Sequence, residues 1–214
     1  MNETVVDSIT LISFSLVALG IVCAPGPNMM YLVSCSLTQG KKDGFFSLLG
    51  VVTGFIVYVI ATILGLDFIF KTVPLLYSAI KIAGIIYLLW MAWNAVKPGS
   101  ESIFEPRNVP HHSLKKLYLN GLMTNLLNPK IAVLYISLLP QFEHPQNGPL
   151  ALQIGVLGTT QIIISFSVNL LIVFFAGQVS QMLRERPVWK KVQKYFMATV
   201  LGLLALNLAF VKNK

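Results

Sequence analysis

The sequence predicts an all-α membrane protein with six transmembrane helices, formed as two inverted three-helix repeats whose first and fourth helices are broken at proline. Two observations support this prediction: six apolar segments long enough to cross a bilayer, and an interruption by proline and asparagine in the first segment of each half. Hydrophobic residues make up 55% of the 214 residues and charged residues 11%, with a mean hydropathy of +0.73. About a quarter of the residues of a soluble domain are charged, so the composition excludes one.

The first apolar segment contains the interruption Ala-Pro-Gly-Pro-Asn at residues 24–28. Residues 8–40 include no charged side chain, and this run of 33 residues would be roughly 50 Å long as one helix, against roughly 30 Å of bilayer hydrocarbon. Pro25 and Pro27 lack backbone N–H groups, and Gly26 between them adds freedom. The helix is therefore predicted to break there, and broken backbone at membrane depth is tolerated only beside protein or a water-filled cavity.

The remaining segments follow from the lengths of the apolar runs. The six predicted spans are residues 8–38, 44–66, 72–96, 117–140, 150–178 and 195–211. The longest hydrophilic stretch, residues 97–116, is predicted to be a cytoplasmic connector between a first repeat (1–96) and a second repeat (117–214). A duplicated unit with three spans must insert its second copy upside down. An unduplicated six-helix bundle with two proline kinks remains the alternative.

Lysine and arginine are unevenly distributed among the connecting segments. Alternate segments hold eleven and three of them, so the positive-inside rule places both termini outside the cytoplasm. The formal net charge of +8 is thus a topology signal rather than a basic face for nucleic acid.

Paired interruptions of this kind point to the binding site of a transporter. A helix that restarts after Pro27 presents free N–H groups and a positive dipole end to a carboxylate. Asn28 is predicted either to cap that helix or to contact a ligand. Pro25 and Gly26 are expected to shape a break whose freed carbonyls can take an ammonium group or a coupling cation.

The second interruption, residues 125–130, ends in the strongest single candidate, Lys130. An ammonium group inside a span normally faces the bundle interior or a wet cavity, where Lys130 can hold a substrate carboxylate; snorkelling to the interface is the alternative. Lys81 in the third span invites the same interpretation, and desolvation would let either lysine release a proton. The amides of Asn125 and Asn128, before Pro129, must bond to neighbouring helices or to substrate.

These motifs resemble the lysine exporter/homoserine-threonine resistance (LysE/RhtB) family of bacterial amino acid exporters over nearly the whole chain. The resemblance rests on residues 24–30, 40–44, Gly50, Gly54, 65–66, 81–84, 87–88, 120–122, 125–130 and 139–142, in that order. Ala92 departs from the pattern, since the family often has glycine there. The resemblance implies a multi-pass transporter of the bacterial inner membrane that exports amino acids or related metabolites, is driven by an ion gradient with the proton as the expected ion, and uses no organic cofactor.

All eight acidic residues fall at span ends or in loops, so no carboxylate is available at mid-membrane for a cationic side chain. A neutral, homoserine-, threonine- or leucine-like amino acid is therefore the expected substrate. The three histidines are too scattered for a metal site. Gly50 and Gly54 have the small-xxx-small spacing of close helix packing, either within one chain or in a homodimer.

Two other classes of function compete with export, and neither fits as well. A membrane oxidoreductase that relays thiol electrons needs a reactive cysteine in each half, but Cys23 and Cys35 both lie in the first. A non-transporting scaffold or assembly factor needs neither Lys130 nor paired breaks. The chain is therefore predicted to be a transporter rather than an enzyme.

Overall fold

The computed structural model describes residues 5–24, 26–72, 74–98 and 111–210. Pro25 and most of the predicted connector lie outside the described residues. Within the described ranges the chain is 89% helix and forms no strand, which confirms the predicted all-α class.

The helices occur in the following order. They are α1 (Ser8–Cys23), α2 (Pro27–Thr38), α3 (Lys41–Thr72), α4 (Pro74–Val96), α5 (Leu114–Leu126), α6 (Pro129–Val133), α7 (Leu150–Glu185) and α8 (Pro187–Phe210). A π-helical turn (Leu134–Leu138) and a 3-10 turn (Leu139–Phe142) continue α6, and a second 3-10 turn (Pro145–Asn147) precedes α7.

Both predicted breaks are present. The axis bends by 53° between α1 and α2, and by 48° between α5 and the segment Pro129–Phe142. After each break the next helix begins with proline in its first turn. This residue is Pro27 in α2 and Pro129 in α6. Proline is well suited to that position because its missing N–H has no helical partner there.

Asp7 starts the first helix just ahead of the apolar run. Its side chain accepts hydrogen bonds from the Thr10 backbone N–H at 2.9 Å and the Thr10 hydroxyl at 2.7 Å. These hydrogen bonds stabilise the carboxylate and hold the pKa of Asp7 below its usual value. An N-cap of this kind fixes where α1 begins.

Within the described part of the chain, three helical stretches are long and apolar enough to cross a membrane: Lys41–Gly65, Leu150–Met182 and Lys191–Phe210. Counting each bent pair as one span raises the number to five, and α4 adds a shorter apolar stretch, Lys81–Val96. Large apolar side chains cover the outside of the bundle, as on α1, where Ile9, Ile12 and Leu16 are exposed. Such a surface is suited to lipid rather than water.

The last connection differs from the sequence-based expectation. Residues 179–194 are predicted to lie between two spans, but α7 continues to Glu185 and α8 begins at Pro187, so only Arg186 separates them. Lys191 and Lys194 therefore lie on α8. The length of an apolar run predicts only the part of a helix that lies in the hydrocarbon of the bilayer. The helix itself, which depends on backbone hydrogen bonds, can continue beyond that part.

Helix α3 lies at the centre of the packing, against α2, α5 and α7, while α1 packs against α7 and α4 against α8. The crossing of α3 and α5 depends on glycine at the contact. A Cβ on Gly50 would overlap the carbonyl oxygen of Tyr118, and one on Gly121 would overlap that of Ser47. A Cβ on Gly54 would lie 2.6 Å from Asn125 Oδ1. The two backbones touch, which brings the second break against α3.

Replacing Gly50 with alanine is expected to lower the thermal unfolding temperature of the purified protein in detergent. The added methyl group meets backbone that cannot rotate away, and overpacking of this kind costs about 1–3 kcal/mol, or about 2–4 °C for each kcal/mol. Gly177→Ala is the matched control, because Gly177 is also helical and has no atom within 4 Å of its added Cβ. That variant should keep or raise the unfolding temperature, since alanine favours helix; equal losses in both variants would contradict the crossing.

Candidate functional site

Lys130 joins the two broken helices. It lies in the first turn of α6 and is 5% exposed. Its Nζ donates hydrogen bonds to the carbonyl oxygens of Ile21 at 3.0 Å and Ala24 at 2.5 Å, at the end of α1. The ammonium group of the second break therefore binds the backbone of the first, and Lys130 does not snorkel to the surface.

The chemistry of the first break explains why these carbonyls are available. In an α-helix the carbonyl of Ile21 would accept from residue 25, but proline has no N–H to donate. Ala24 follows the last residue of α1, so its carbonyl is beyond the regular helical bonds. The C-terminal end of a helix also carries the negative end of the helix dipole, which favours a cation.

Gly26 leaves the space that the lysine occupies. It is the N-cap of α2 in an extended conformation that any residue adopts, so its lack of a side chain matters for space rather than for backbone freedom. A Cβ there would lie 3.0 Å from Lys130 Nζ and 3.1 Å from Cε. The glycine predicted to shape the break thus lies directly against the ammonium-bearing chain.

A small cavity of about 20 Å³ adjoins the lysine. Its walls come from both breaks and from α3 and α7, and the polar side chains among them are Asn28, Lys130, Ser165 and Asn169. Apolar side chains, including Phe55 and Ile131, complete the lining. The cavity has room for about one water molecule, so a larger solute reaches Lys130 only if the helices separate.

The three asparagines predicted for the site have different environments. Asn28 lines the cavity, and its buried Oδ1 has no hydrogen-bond partner among the described residues. The expectation that Asn28 caps α2 is wrong, because the cap position is Gly26 and no side chain bonds there. Asn128 has that role in α6, where its Oδ1 accepts from the Lys130 N–H at 3.0 Å.

Asn125 is fully buried at the α3 crossing and outside the cavity. Neither atom of its amide group finds a partner within the described part of the chain. Lys81 on α4 is also buried, but it is not among the cavity-lining residues. The structure therefore brings Gly26, Asn28 and Lys130 together, places Asn128 and Pro129 in the turn that presents Lys130, and leaves Asn125 and Lys81 apart.

A line of polar side chains on α7 is not among the residues that the sequence predicts for the site. Gln161, Ser165 and Asn169 are spaced four residues apart and are all buried. Tyr135 in the π-helical turn donates from Oη to Gln161 Oε1 at 2.6 Å, and Gln161 Nε2 donates to Ser165 Oγ at 2.6 Å. The signal was present in the sequence: three polar residues at i, i+4 and i+8 within an apolar span form one helix face.

In the π-helical turn the Leu139 N–H donates to the Leu134 carbonyl five residues earlier, and the next residue, Pro140, has no N–H to donate. Turns of this type often occur at functional sites. Here the turn positions Tyr135, whose ring also stacks on Tyr58 with centroids 5.3 Å apart. Tyr58 in turn donates to the Leu126 carbonyl at 2.9 Å, at the end of α5. The second break is thus held by the Tyr58 side chain of α3, as the first is held by Lys130.

Histidine, cysteine, aspartate and glutamate do not gather anywhere in the described ranges in a group of three that could hold a metal ion. The site therefore consists of one buried ammonium group, freed carbonyls and amide oxygens within a bundle with an apolar exterior. Such an arrangement is suited to a small polar solute at membrane depth, as in a membrane transporter.

Comparison with known proteins identifies the class. A model of the LysE type translocator family matches residues 19–211, and the chain belongs to this family. The uncharacterized membrane protein YrhP of Bacillus subtilis (strain 168) is 25% identical over 195 residues, which cover 86% of this chain and 91% of that protein. No solved structure matches.

Two similar relatives are named for efflux. The leucine efflux protein of Enterobacter sp. (strain 638) is 26% identical over 178 residues, 81% of each chain. The threonine efflux protein of Salmonella typhi is 27% identical over 131 residues, 60% of this chain and 64% of that protein. Family membership confirms the resemblance seen in the motifs, the multi-pass bacterial membrane location, and a transporter rather than an enzyme.

Gly26→Ala is expected to destabilise the protein through Lys130 specifically. The new methyl group would lie 3.0 Å from Nζ, so the lysine must shift by a few tenths of an ångström against its hydrogen bonds to the Ile21 and Ala24 carbonyls. The unfolding temperature in detergent should therefore fall, by the equivalent of about 1–3 kcal/mol. In a Lys130→Ala background the methyl group has space, and most of this loss should disappear, which a double-mutant cycle measures. Gly20→Ala is the control, because its Cβ would make only ordinary contact, 3.5 Å from Val200. Additive losses from Gly26→Ala and Lys130→Ala would contradict the contact.

Proposed function

We propose that this protein exports a small neutral amino acid, threonine-, homoserine- or leucine-like, or a related metabolite, across the bacterial inner membrane. The observation that supports it most is the buried Lys130 ammonium group, whose hydrogen-bond partners among the described residues are backbone carbonyls. A buried charge without a counter-charge is expensive, and the α-carboxylate of an amino acid is a fitting partner. The efflux names of the two relatives support the same class of solute.

A neutral substrate follows from the lining of the cavity. None of the lining residues carries a carboxyl group, so a cationic side chain has no counter-charge while an α-carboxylate has Lys130. We assign substrate binding or gating to the residues of the two breaks, Gly26, Pro27, Asn28, Asn128, Pro129 and Lys130. Pro25, Lys81 and Asn125 are the other candidates that the sequence indicates. A non-transporting scaffold accounts for none of these features.

Alternating access between two inverted repeats is the mechanism we propose, with repeats at residues 1–96 and 117–214 and the connector at 97–116. Pro27 and Asn28 follow the first break as Pro129 and Lys130 follow the second. Helix α1 packs against α7 as α5 packs against α3, while α3 meets α7 and α4 meets α8. In the proposed repeats α1 corresponds to α5, α3 to α7 and α4 to α8, so each of these contacts has its counterpart when the two repeats are interchanged. This supports a pseudo-twofold relation between the repeats. It also supports six spans, of which α4 is the one not counted by length.

The orientation and energy source belong to the same proposal. The basic residues at the starts of α3 and α5 lie in the cytoplasm, with both termini outside. A proton is the proposed coupling ion, and a homodimer is compatible with a site whose described residues all come from one chain. Gly50 and Gly54 of α3 pack within the chain, at the α5 crossing.

Efflux from cells loaded with dipeptides tests the function. Cells that express the native protein should release one neutral amino acid faster than cells without it. Lys130→Ala at the same membrane level should lower that rate about tenfold or more, because a hydrogen bond to a charged group contributes about 1.5–3 kcal/mol.

Lys115→Ala is the matched control, since Lys115 is exposed near the start of α5. It should leave the rate unchanged. Faster release of lysine or arginine rather than a neutral amino acid would contradict the substrate class, and equal rates for native protein and Lys130→Ala would contradict the site.

A further inference from the structure

The carbonyl oxygens of Ile21 and Ala24 form a binding site for a primary ammonium group, and Lys130 occupies it. We call this pair of oxygens the α1 cradle. Lys130 Nζ lies 3.0 Å from one and 2.5 Å from the other. A primary ammonium has three N–H donors and no acceptor. The cradle is thus already shaped for the group that every α-amino acid carries beside its carboxylate.

Further acceptors surround the same place. The amide oxygens of Asn28 and Asn169 are buried and lack partners among the described residues, and both side chains line the cavity. The orientation of Asn169 is set by its chemistry, because its Nδ2 donates to the Ser165 carbonyl at 2.8 Å, which leaves the acceptor Oδ1 free. Buried acceptors without donors are unfavourable, and a second ammonium group would supply donors.

The α1 cradle provides Lys130 with hydrogen-bond acceptors but with no negatively charged partner. Backbone carbonyls offer partial charges, and the cavity lining includes no carboxylate. A carboxylate in the cavity would bind Lys130 Nζ more strongly than neutral oxygens do, because it adds the attraction between two full opposite charges in a medium of low dielectric constant. Lys130 would then leave the cradle.

We propose that an amino acid binds here by exchange. Its carboxylate takes the Lys130 ammonium group, and its own α-ammonium takes the place of Nζ on the Ile21 and Ala24 carbonyls, with the Asn28 and Asn169 oxygens as further acceptors. No bond other than hydrogen bonds changes. In the absence of substrate, the Lys130 ammonium group occupies the position that the substrate's ammonium group would take.

The exchange links binding to movement. Lys130 bridges α6 to α1, and the cavity holds about one water molecule in this arrangement. An amino acid fits only when the two breaks move apart, and removal of the Lys130 bridge allows that separation. A primary ammonium ion without a carboxylate offers Lys130 no negative partner and cannot displace it, so both charges of the zwitterion are needed to open the site. This inference rests on the proposed export of an amino acid.

Chemical rescue tests the cradle without any transport. Lys130→Ala removes the atoms from Cγ to Nζ, and n-propylammonium replaces those four atoms as a free ligand. Added to the purified variant, it should raise the thermal unfolding temperature saturably, by about 2–5 °C. The native protein, whose cradle is filled, should show no such shift, nor should Lys130→Met, whose side chain fills the space.

Tetramethylammonium and n-propanol are the matched ligands: the first has the charge without N–H donors, and the second has the length without the charge. Equal shifts with either, or no shift of Lys130→Ala with n-propylammonium, overturns the cradle. If Lys130→Ala is obtained only in the presence of n-propylammonium and unfolds when the amine is dialysed away, the cradle is supported. A variant that stays unfolded with the amine present overturns it.

A second pair of ligands tests the exchange. An amino acid that the native protein exports should stabilise the native protein more than the primary amine that lacks its carboxylate, whereas Lys130→Ala should prefer the amine or bind both equally. The same preference in both proteins overturns the exchange.

The two proposals fail separately. Export by the native protein without rescue by n-propylammonium overturns the cradle alone. Rescue without export of any amino acid keeps the cradle as an ammonium site and overturns the proposed function.

Discussion

The contact between the Lys130 ammonium group and the end of α1 is the interaction on which the rest of the site depends. It joins two helix breaks that are more than a hundred residues apart in sequence. The carbonyls of Ile21 and Ala24 lack helical donors, and the Lys130 ammonium group supplies them. The carbonyls in turn supply the acceptors that the buried ammonium group would otherwise find in water. Neither group is fully satisfied, because carbonyls provide no net charge. A site left in this state is stable when empty and still able to bind an anion.

Close backbone contact makes this arrangement possible. Gly26 gives the lysine chain room beside α2, and Gly50, Gly54 and Gly121 let α3 and α5 touch. In a bilayer, where the hydrophobic effect does not drive helices together, such contacts supply van der Waals packing instead. The glycines therefore set the distance between the two breaks. Ser165 and Asn169, from the polar line on α7, form part of the cavity wall. Gln161 connects this line to the π-helical turn through its hydrogen bonds with Ser165 and Tyr135.

A translocator of this family must hold a polar solute in a low-dielectric bundle and then release it. Bonds of intermediate strength suit that task better than a fully paired salt bridge, whose separation at membrane depth is costly. Lys130 bonded to carbonyls is such an intermediate. The side-chain oxygens of Asn28 and Asn169, which have no partner among the described residues, are the second part of the proposed design, since a donor that enters the cavity satisfies them.

The sequence by itself determined the class and the places of both breaks, because proline removes N–H groups wherever it stands and apolar run length follows from bilayer thickness. It also singled out Lys130, since a charge within a span is rare. Only the tertiary structure decided what Lys130 touches, that Gly26 and not Asn28 caps α2, that Lys81 and Asn125 lie outside the cavity, and that Ser165 and Asn169 line it. These facts depend on which helix faces meet, and contacts between residues far apart in the chain leave no local pattern.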